Sequence, residues 1–258
     1  MKKYPTDLTD RQFAVLSPYL PISRKRKWDL KLILDAIFYV TKSGVQWRML
    51  PNDLPPWQTV YWYYRLWISD GTLDLMHEEL RRKTRKKAGR AETPTAALID
   101  SQSVKSSPCG WTRGYDAGKK INGVKRHIVT DTLGLLLAVV VHSASIQDRD
   151  GGKFVLSRLA KNLHEVPTLK MIFADGGYAG KFLEWVKDLA NRNIHWKAQV
   201  IKRPDQGVFK LLPKRWVVER TFGWLGWQRR LARDYEGLNE TSEAVIKYSM
   251  LKIMVKRF

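Results

Sequence analysis

The sequence predicts an α/β protein in which an all-α N-terminal region precedes a mixed sheet of five strands flanked by helices. Up to residue 92 the apolar side chains recur at helical spacing. Beyond that point, short apolar runs typical of strands alternate with helical stretches. The chain has 258 residues, of which 44% are apolar, so it can bury a sizeable core.

Three helices are predicted first, each with a recognisable boundary. Thr9 starts the first helix, Asp29 caps the second, which stops at Gly44, and the third follows Pro55 and Pro56. Three short helices with tight turns and a basic surface resemble a helix-turn-helix arrangement. In that interpretation the side chains that face a DNA groove are Gln58, Thr59, Tyr61, Trp62 and Arg65. A plain three-helix packing module with internal aromatics explains the pattern equally well.

A fourth helix, LDLMHEELRRKTRKKAGR, ends in a cationic stretch from Arg81 to Arg90. This stretch is either a solvated linker or an arm that follows phosphates. Glu92, Thr93 and Pro94 mark a domain boundary. We therefore expect a helical DNA-binding domain with a basic linker over residues 1–92 and a sheet domain over 93–258.

The sheet domain contains five predicted strands. TAALIDSQSV is the first, KRHIVTD and LLLAVVVHSA form a hairpin through DTLG, and LKMIFAD and WKAQVIKR follow. The segment from Gly110 to Lys120 is a glycine-rich basic loop. The later helices include one that carries Glu219, and TSEAVIKYSMLKIMVKRF closes the chain as an amphipathic helix.

Composition narrows the function. The chain has 46 Lys and Arg against 25 Asp and Glu, a formal charge of +21, which points to a polyanionic partner, most often nucleic acid. Cys109 is the only cysteine, which excludes an intrachain disulfide and a zinc thiolate cluster and fits a reducing cytosol. No apolar run approaches about 18 residues, and no signal-peptide core follows Met1. We expect a cytoplasmic protein.

Three acids stand where a metal site can form. Asp100 lies where the buried first strand meets polar groups, Asp175 ends the fourth strand before two glycines, and Glu219 lies in a helix among bulky and basic side chains. Carboxylates so placed can converge at one edge of a sheet as oxygen ligands for two Mg²⁺ or Mn²⁺ ions, which catalyse displacement at phosphorus. Taken singly, each aspartate also suits a turn or a cap, and Glu219 suits an ion pair with Arg215 or Arg220.

Several stretches resemble the DDE transposases of bacterial insertion sequences, most closely the insertion-sequence family five group. In the second part of the chain they are ALIDSQSVKSS, DAGKKINGVKRHIVTDTLGLLLAVVV, ASIQDRDGG, FADGGYAG and RWVVERTFGWL followed by QRRLARDYE. Upstream, LTDRQFAVLSPYLP, RKWDLKLILDAIFYV, GVQWRMLP and PPWQTVYWYYRLW are similar to the helical domain of that group. The resemblance covers nearly the whole chain, in order.

The resemblance implies an RNase H-like catalytic domain over residues 93–258. Asp100 would end the first strand, Asp175 would follow the fourth, and Glu219 would lie on the last helix of the fold, all three as catalytic residues and ligands of two Mg²⁺ or Mn²⁺ ions. It also implies binding of the terminal inverted repeats, strand cleavage and transfer of 3′-ends to target DNA in a bacterial, nucleoid-associated protein. Because two ends are cut together, we expect a homodimer or a larger synaptic assembly on double-stranded DNA.

The family's tyrosine-arginine-glutamate-lysine signature is matched in part. Arg215 stands at the arginine, four positions before the acid, whereas Leu212 replaces the tyrosine and Gly226 the lysine. We therefore expect the missing cation from Arg229 or Arg230.

Asp148 resembles the accessory aspartate near the metals in this family, although a cap for a helix that starts at Gly151 is an open alternative. His127 is expected to be a hydrogen-bonded strand residue rather than a ligand. Trp216 or Trp224 could stack on a flipped base at the cut site, but core packing is favoured for both.

Basic side chains are expected to contact DNA phosphates as point charges, although a solvated surface is the alternative for each. The candidates are Arg65, Lys105, Lys119, Lys120, Lys125, Arg126, Arg215, Arg220, Arg229 and Arg230. Two other functions remain open from the sequence. One is an RNase H-like nuclease that cleaves without joining, and the other is a DNA-binding protein descended from a transposase that has lost its catalytic activity.

Overall fold

The computed structural model describes residues 4–21, 27–108, 112–201 and 213–258. They divide into two compact units. Unit 1 consists of Met1–Thr84, Trp224–Arg233 and Ala244–Phe258, and unit 2 consists of Arg85–Gly223 and Asp234–Glu243. Unit 1 therefore contains C-terminal segments as well as the N-terminal helices. The functional boundary at residue 92 stays a prediction.

Unit 1 begins with helices that have the expected boundaries. They are α1 (Asp10–Leu16), α2 (Leu30–Ser43), α3 (Trp57–Ser69) and α4 (Thr72–Lys87), the last of which ends in unit 2. Thr9 Oγ1 accepts from Gln12 N, and Gln12 Oε1 accepts from Thr9 N, both at 3.1 Å, a reciprocal cap. Asp29 Oδ1 accepts from Lys31 N at 2.9 Å, and α2 ends at Gly44 with φ 73°. The sequence-based assignments are confirmed here.

The third helix has one buried and one exposed face. Val60, Tyr64 and Trp67 are buried, whereas Gln58, Tyr61 and Trp62 are exposed. Tyr61 and Trp62 are thus not internal, so the packing interpretation with all aromatics inside the core is wrong for this helix. The exposed residues lie three and four positions apart, which places them on one helical face.

The cationic stretch that ends α4 is neither wholly solvated nor wholly available to an anion. Arg81 and Arg85 are 1% and 4% exposed, while Lys86, Lys87 and Arg90 are exposed. The stretch therefore combines structural and surface cations.

The sheet of unit 2 has six strands among the described residues. They are β1 (Ala96–Lys105), β2 (Gly114–Asp116), β3 (Ile121–Asp131), β4 (Leu136–Ser143), β5 (Met171–Ala174) and β6 (Lys197–Val200). The order is β2-β3-β1-β5-β6, with β4 also paired to β3. The pairs β1/β3, β2/β3 and β3/β4 are antiparallel, and β1/β5 and β5/β6 are parallel. The predicted five-stranded mixed sheet is confirmed, and the basic loop adds the short β2.

Four helices complete the secondary structure: α5 (Asp148–Lys161), α6 (Lys181–Asp188), α7 (Pro213–Gly226) and α8 (Asn239–Val255). The core of unit 2 joins Ile99 of β1 and Ile172 of β5 to Leu156 of α5 and Phe182 of α6. Helix α8 is buried on most sides along its length, so the prediction of an amphipathic closing helix is wrong. In the described part of the chain, no helix has the length and apolar character that a membrane span needs.

Candidate active site

Two of the predicted acids meet at one edge of the sheet because β1 and β5 run parallel. Their pairing ends with Leu98 opposite Phe173, so Asp100 lies two residues beyond the last pair, and Asp175 directly follows β5. Asp100 does not end its strand as expected, because β1 continues to Lys105 through its pairing with β3. Asp100 and Asp175 both line one cleft on this side of the sheet.

A tight turn fixes the direction of the Asp175 carboxylate. Asp175 Oδ1 accepts from Gly177 N at 2.9 Å and thereby caps the short 3-10 helix Gly176–Tyr178. A Cβ atom at Gly177 would lie 3.2 Å from Asp175 Oδ1 and 3.9 Å from Asp148 Oδ2. The absence of a side chain at Gly177 therefore lets the turn lie close to two carboxylates.

Helix α7 brings Arg215 and Glu219 to the same place. Arg215 Nη2 lies 3.9 Å from Asp175 Oδ2 and 3.6 Å from Glu219 Oε1. The ion pair considered for Glu219 is thus present, and the same guanidinium also reaches a second acid. The Glu219 side chain stays 49% exposed, so its carboxylate remains accessible to a ligand.

A small cleft lies between β1, β5 and α7. Apolar walls come from Ile99, Ala174 and Val218, and the polar lining includes Asp100, Asp175 and Arg215. A carboxylate in such surroundings loses part of its hydration, which disfavours its charged form.

The electrostatics of Asp100 reflect this setting. Burial raises the pKa of Asp100 to about 7, and the charge of Asp175 acts in the same direction. A hydrogen bond from Ser101 N, at 2.7 Å, and the charges of Lys119 and Arg215 oppose the rise. The negative charge of the cleft is therefore under-compensated, and a cation bound there would be favoured.

Asp148 belongs to a second layer of polar groups beside the acids. Its Oδ1 atom accepts from Ser101 Oγ at 2.8 Å and from Lys125 Nζ at 2.9 Å. Burial alone would raise the pKa of Asp148, but these two hydrogen bonds and the charge of Lys119 outweigh it and lower the pKa. Asp148 is not the cap of a helix starting at Gly151, because α5 begins at Asp148 itself.

The same layer contains Ser103, Asp116 and Tyr178, which were not predicted from the sequence as site residues. Lys125 Nζ also lies 3.4 Å from Asp116 Oδ2, and Ser103 Oγ donates to Asp116 at 2.5 Å. Fully buried Tyr178 faces the cleft acids: burial, and then the charges of Asp100, Asp148 and Asp175, raise its pKa well above 10.0. Ser101 and Ser103 alternate along the predicted strand after Asp100, and this spacing was the sequence signal for a polar layer beside the acid.

His127 is a satisfied strand residue, as predicted. Its Nδ1 atom lies 2.7 Å from His142 Nε2, and its Nε2 atom lies 3.1 Å from the carbonyl oxygen of Asp148. Burial, and then the neighbouring His142, lower the pKa of His127 to about 3. The pair supports the start of α5 from inside the core.

The candidate DNA contacts differ in accessibility. Lys105, Lys119, Lys120 and Arg229 are exposed, and Arg65, Arg215, Arg220 and Arg230 are half-buried. Lys125 and Arg126 are 4% and 2% exposed. Lys125 is held by Asp148 and Asp116, and Arg126 Nη2 lies 3.8 Å from Asp234. The expectation that these two cations meet phosphates is therefore corrected, because they compensate buried acids.

The tryptophans of α7 also differ from each other. Trp216 is 46% exposed, so the favoured core packing is wrong for it. Trp224 is half-buried, with the Arg257 guanidinium 5.6 Å from its ring centroid. Leu212 and Cys109 lie outside the described residues.

Two families of transposases match most of the chain between them. Residues 91–251 match the family described as the transposase DDE domain, and residues 8–77 match a family of IS4/5 transposases. A Burkholderia cepacia protein named as a transposase for insertion sequence element IS402 is 29% identical over 136 residues, which are 48% of this chain and 59% of that protein.

A second relative is the uncharacterized protein y4sN of Sinorhizobium fredii, which is 34% identical over 80 residues, 30% of this chain and 64% of that protein. The chain thus spans less than two thirds of the length of either relative. No solved structure matches the chain. Since the first family match covers more than half of its residues, the chain belongs to the transposases with a DDE domain.

Proposed function

We propose that this transposase binds the terminal inverted repeats of its insertion sequence, cuts DNA strands at the ends and joins the 3′-ends to target DNA. The observation that carries the proposal is the convergence of Asp100 and Asp175 on one cleft, with Arg215 within 3.9 Å of Asp175 and 3.6 Å of Glu219. The three acids are the proposed catalytic residues.

The residues of the cleft fit divalent metal ions. The candidate ligands are carboxylate oxygens, which Mg²⁺ and Mn²⁺ prefer. Burial raises the pKa of Asp100 to about 7, and a bound cation would stabilise the charged form of this carboxylate. Asp100, Asp175 and Glu219 would hold two such ions. When bound, the ions supply activation of a water or 3′-hydroxyl and stabilisation of the leaving oxygen.

The surrounding side chains have supporting roles in this proposal. Arg215 orients Asp175 and Glu219 toward each other and stands ready to contact a phosphate of the DNA strand. Asp148, held by Ser101 and Lys125, adds negative charge beside the metal ligands without leaving its own ion pair. Tyr178 stays protonated, since burial and then the charges of Asp100, Asp148 and Asp175 raise its pKa.

Binding of double-stranded DNA is assigned to surface cations and to α3. Exposed Gln58, Tyr61 and Trp62 form a face that suits a groove. Lys105, Lys119, Lys120, Arg229 and Arg230 are the proposed phosphate contacts. Two ends cut together require a dimer or larger assembly, and a protein that acts on chromosomal DNA would be found with the nucleoid.

Three single variants test the catalytic assignment: Asp100→Asn, Asp175→Asn and Glu219→Gln. Each should reduce cleavage and joining of end-containing DNA in Mg²⁺ by at least about 100-fold, the upper effect of disturbing only a metal's outer shell. Asp188→Asn, at an exposed acid outside the cleft, is the control and should act as the original protein does.

The products separate the remaining functions. Unjoined, nicked products without a strand-transfer band would identify a nuclease that does not join ends. Undiminished reaction in all three variants would refute the assignment of the acids. A protein that binds DNA but neither binds metal nor cuts would be a transposase relative that has lost its catalytic activity.

A further inference from the structure

A group of cations without acidic partners lies in unit 1, whereas the acid triad belongs to unit 2. Lys42 ends α2, Arg229 belongs to the 3-10 helix Arg229–Leu231, and Lys256 follows α8. Among the residues that the structure describes, no carboxylate pairs with any of the three. Like charges held together without a counter-charge destabilise the folded state, so an anion bound here would stabilise it.

The group is held in place by specific contacts. Lys42 Nζ donates to the Trp227 carbonyl oxygen at 2.6 Å. A Cβ atom at Gly44 would lie 3.1 Å from Arg229 Cβ, so the turn that carries Arg229 lies against the end of α2. Burial, and then the charges of Lys256 and Arg229, lower the pKa of Lys42, in keeping with the contact between the turn and the end of α2.

An indole lies in the same turn. The Trp227 residue is 76% exposed, more than any other large apolar residue in the described ranges. Its backbone is fixed by Lys42, while its side chain projects into solvent. Proteins bind unpaired nucleotides with aromatic rings and cations together. The ring stacks on a base, and the cations contact the phosphates of the nucleic-acid backbone.

We infer that Trp227, Arg229 and Lys256 form a binding site for a single-stranded stretch of DNA, with Lys42 as the residue that positions the turn. An intact duplex is a poorer ligand, because a base must leave its stack before the indole can reach its face. The inference rests on the proposed action on DNA, which exposes unpaired nucleotides when strands are cut. Of the phosphate contacts already proposed it uses Arg229, to which it adds Lys256 and the Trp227 indole.

Fluorescence anisotropy with a labelled oligothymidylate tests the stacking. Trp227→Ala should weaken binding roughly 5- to 150-fold, the loss expected for one stacked base, and should change the affinity for a blunt duplex far less. Trp227→Phe keeps an aromatic face and should retain most of the affinity. Met49→Ala, which truncates a residue 66% exposed in unit 1, is the control and should bind as the original protein does.

The cations are tested through the salt dependence of the same binding. In the double variant Arg229→Gln with Lys256→Gln, the slope of log K against log salt should shrink by about 1.4, since each contact to a single strand contributes about 0.7. A double variant of two exposed lysines of unit 2, Lys161→Gln with Lys187→Gln, should leave the slope unchanged.

Several results would overturn the site. One is an unchanged affinity of Trp227→Ala for the oligonucleotide, and another is an equal loss of affinity in Trp227→Ala and Trp227→Phe. A third is that the variants change the oligomeric state, measured by light scattering, while their DNA affinity stays the same. Cleavage by the original protein with no effect of Trp227→Ala on binding refutes this site alone. Loss of the proposed function would instead appear as absent cleavage in the original protein, while the binding measurements stand.

Discussion

Asp100→Asn should stabilise the metal-free protein at pH 8 and leave its stability nearly unchanged at pH 4. The reason is the cost of a carboxylate in the cleft. Burial, with the charge of Asp175 added, raises the pKa of Asp100 to about 7, despite the hydrogen bond from Ser101 N. The amide of asparagine carries no charge at any of these pH values, so it removes the penalty.

The size of the effect follows from the two pKa values. In the unfolded chain Asp100 has its ordinary pKa of 3.8, and each pH unit between that value and about 7 corresponds to ~1.36 kcal/mol. Below pH 3.8 both states are protonated, and the charge costs nothing. Between the two values the folded state keeps a proton that the unfolded state releases, so the free energy of unfolding falls as pH rises. Above pH 7 the full loss is about 4 kcal/mol.

Urea unfolding at a series of pH values from 4 to 8, in the presence of a chelator, measures this difference. The free energy of unfolding of Asp100→Asn minus that of the original protein should be near zero at pH 4 and about 4 kcal/mol at pH 8. Titrating groups that do not interact with Asp100 cancel in the difference. Added Mg²⁺ should stabilise the original protein more than the variant and so narrow the gap.

Asp188→Asn is the matched control, because it removes an exposed acid and should show no such pH dependence. A difference between Asp100→Asn and the original protein that stays flat from pH 4 to 8 would refute the reasoning. It would mean that the Asp100 carboxylate is hydrated or compensated in the folded protein.

Three further predictions follow from the same structure. Cleavage at limiting Mg²⁺ should rise with pH through about 7, and its midpoint should move down as Mg²⁺ increases, because the proton and the metal compete for Asp100; a midpoint independent of Mg²⁺ would contradict this. Asp131→Ala leaves the buried Arg85 guanidinium without its carboxylate partner and should lower the free energy of unfolding by about 3–5 kcal/mol in urea titrations. A change under about 1 kcal/mol would count against a stabilising Arg85–Asp131 ion pair. Thr9→Ala removes a reciprocal cap and should lower the melting temperature through a loss of about 1 kcal/mol, whereas Thr9→Ser should not.

Much of the fold can be read from local patterns. Helices begin at the caps Thr9 and Asp29 and end at the left-handed Gly44 where the sequence indicates, since these signals depend on neighbouring residues alone. The hairpin between β3 and β4 is likewise local: Asp131 Oδ1 accepts from Leu133 N and Leu135 N, both at 2.8 Å. Short-range hydrogen bonding decides such features.

Burial could not be read in the same way. Lys125 and Arg126 look like surface cations in a basic segment, yet both are buried in unit 2. Their partners, Asp148 and Asp234, come from other parts of the chain, so a local pattern does not reveal the pairs. Helix α8 contains polar residues such as Glu243 and Lys252, yet these are buried along with most of the helix. A sequence pattern reflects a residue and its neighbours, whereas the burial of that residue depends on the remainder of the chain.

The acid triad shows the division most clearly. The three acids and the strand before Asp175 could be recognised in the sequence. They were enough to predict Asp100, Asp175 and Glu219 as site residues. The order of the strands could not be predicted from the sequence. In the structure β1 pairs with both β3 and β5, and its parallel pairing with β5 brings Asp100 and Asp175 to the same cleft. Pairing between strands 75 residues apart depends on long-range contacts, so the cleft, the reach of Arg215 and the raised pKa of Asp100 follow from the folded structure.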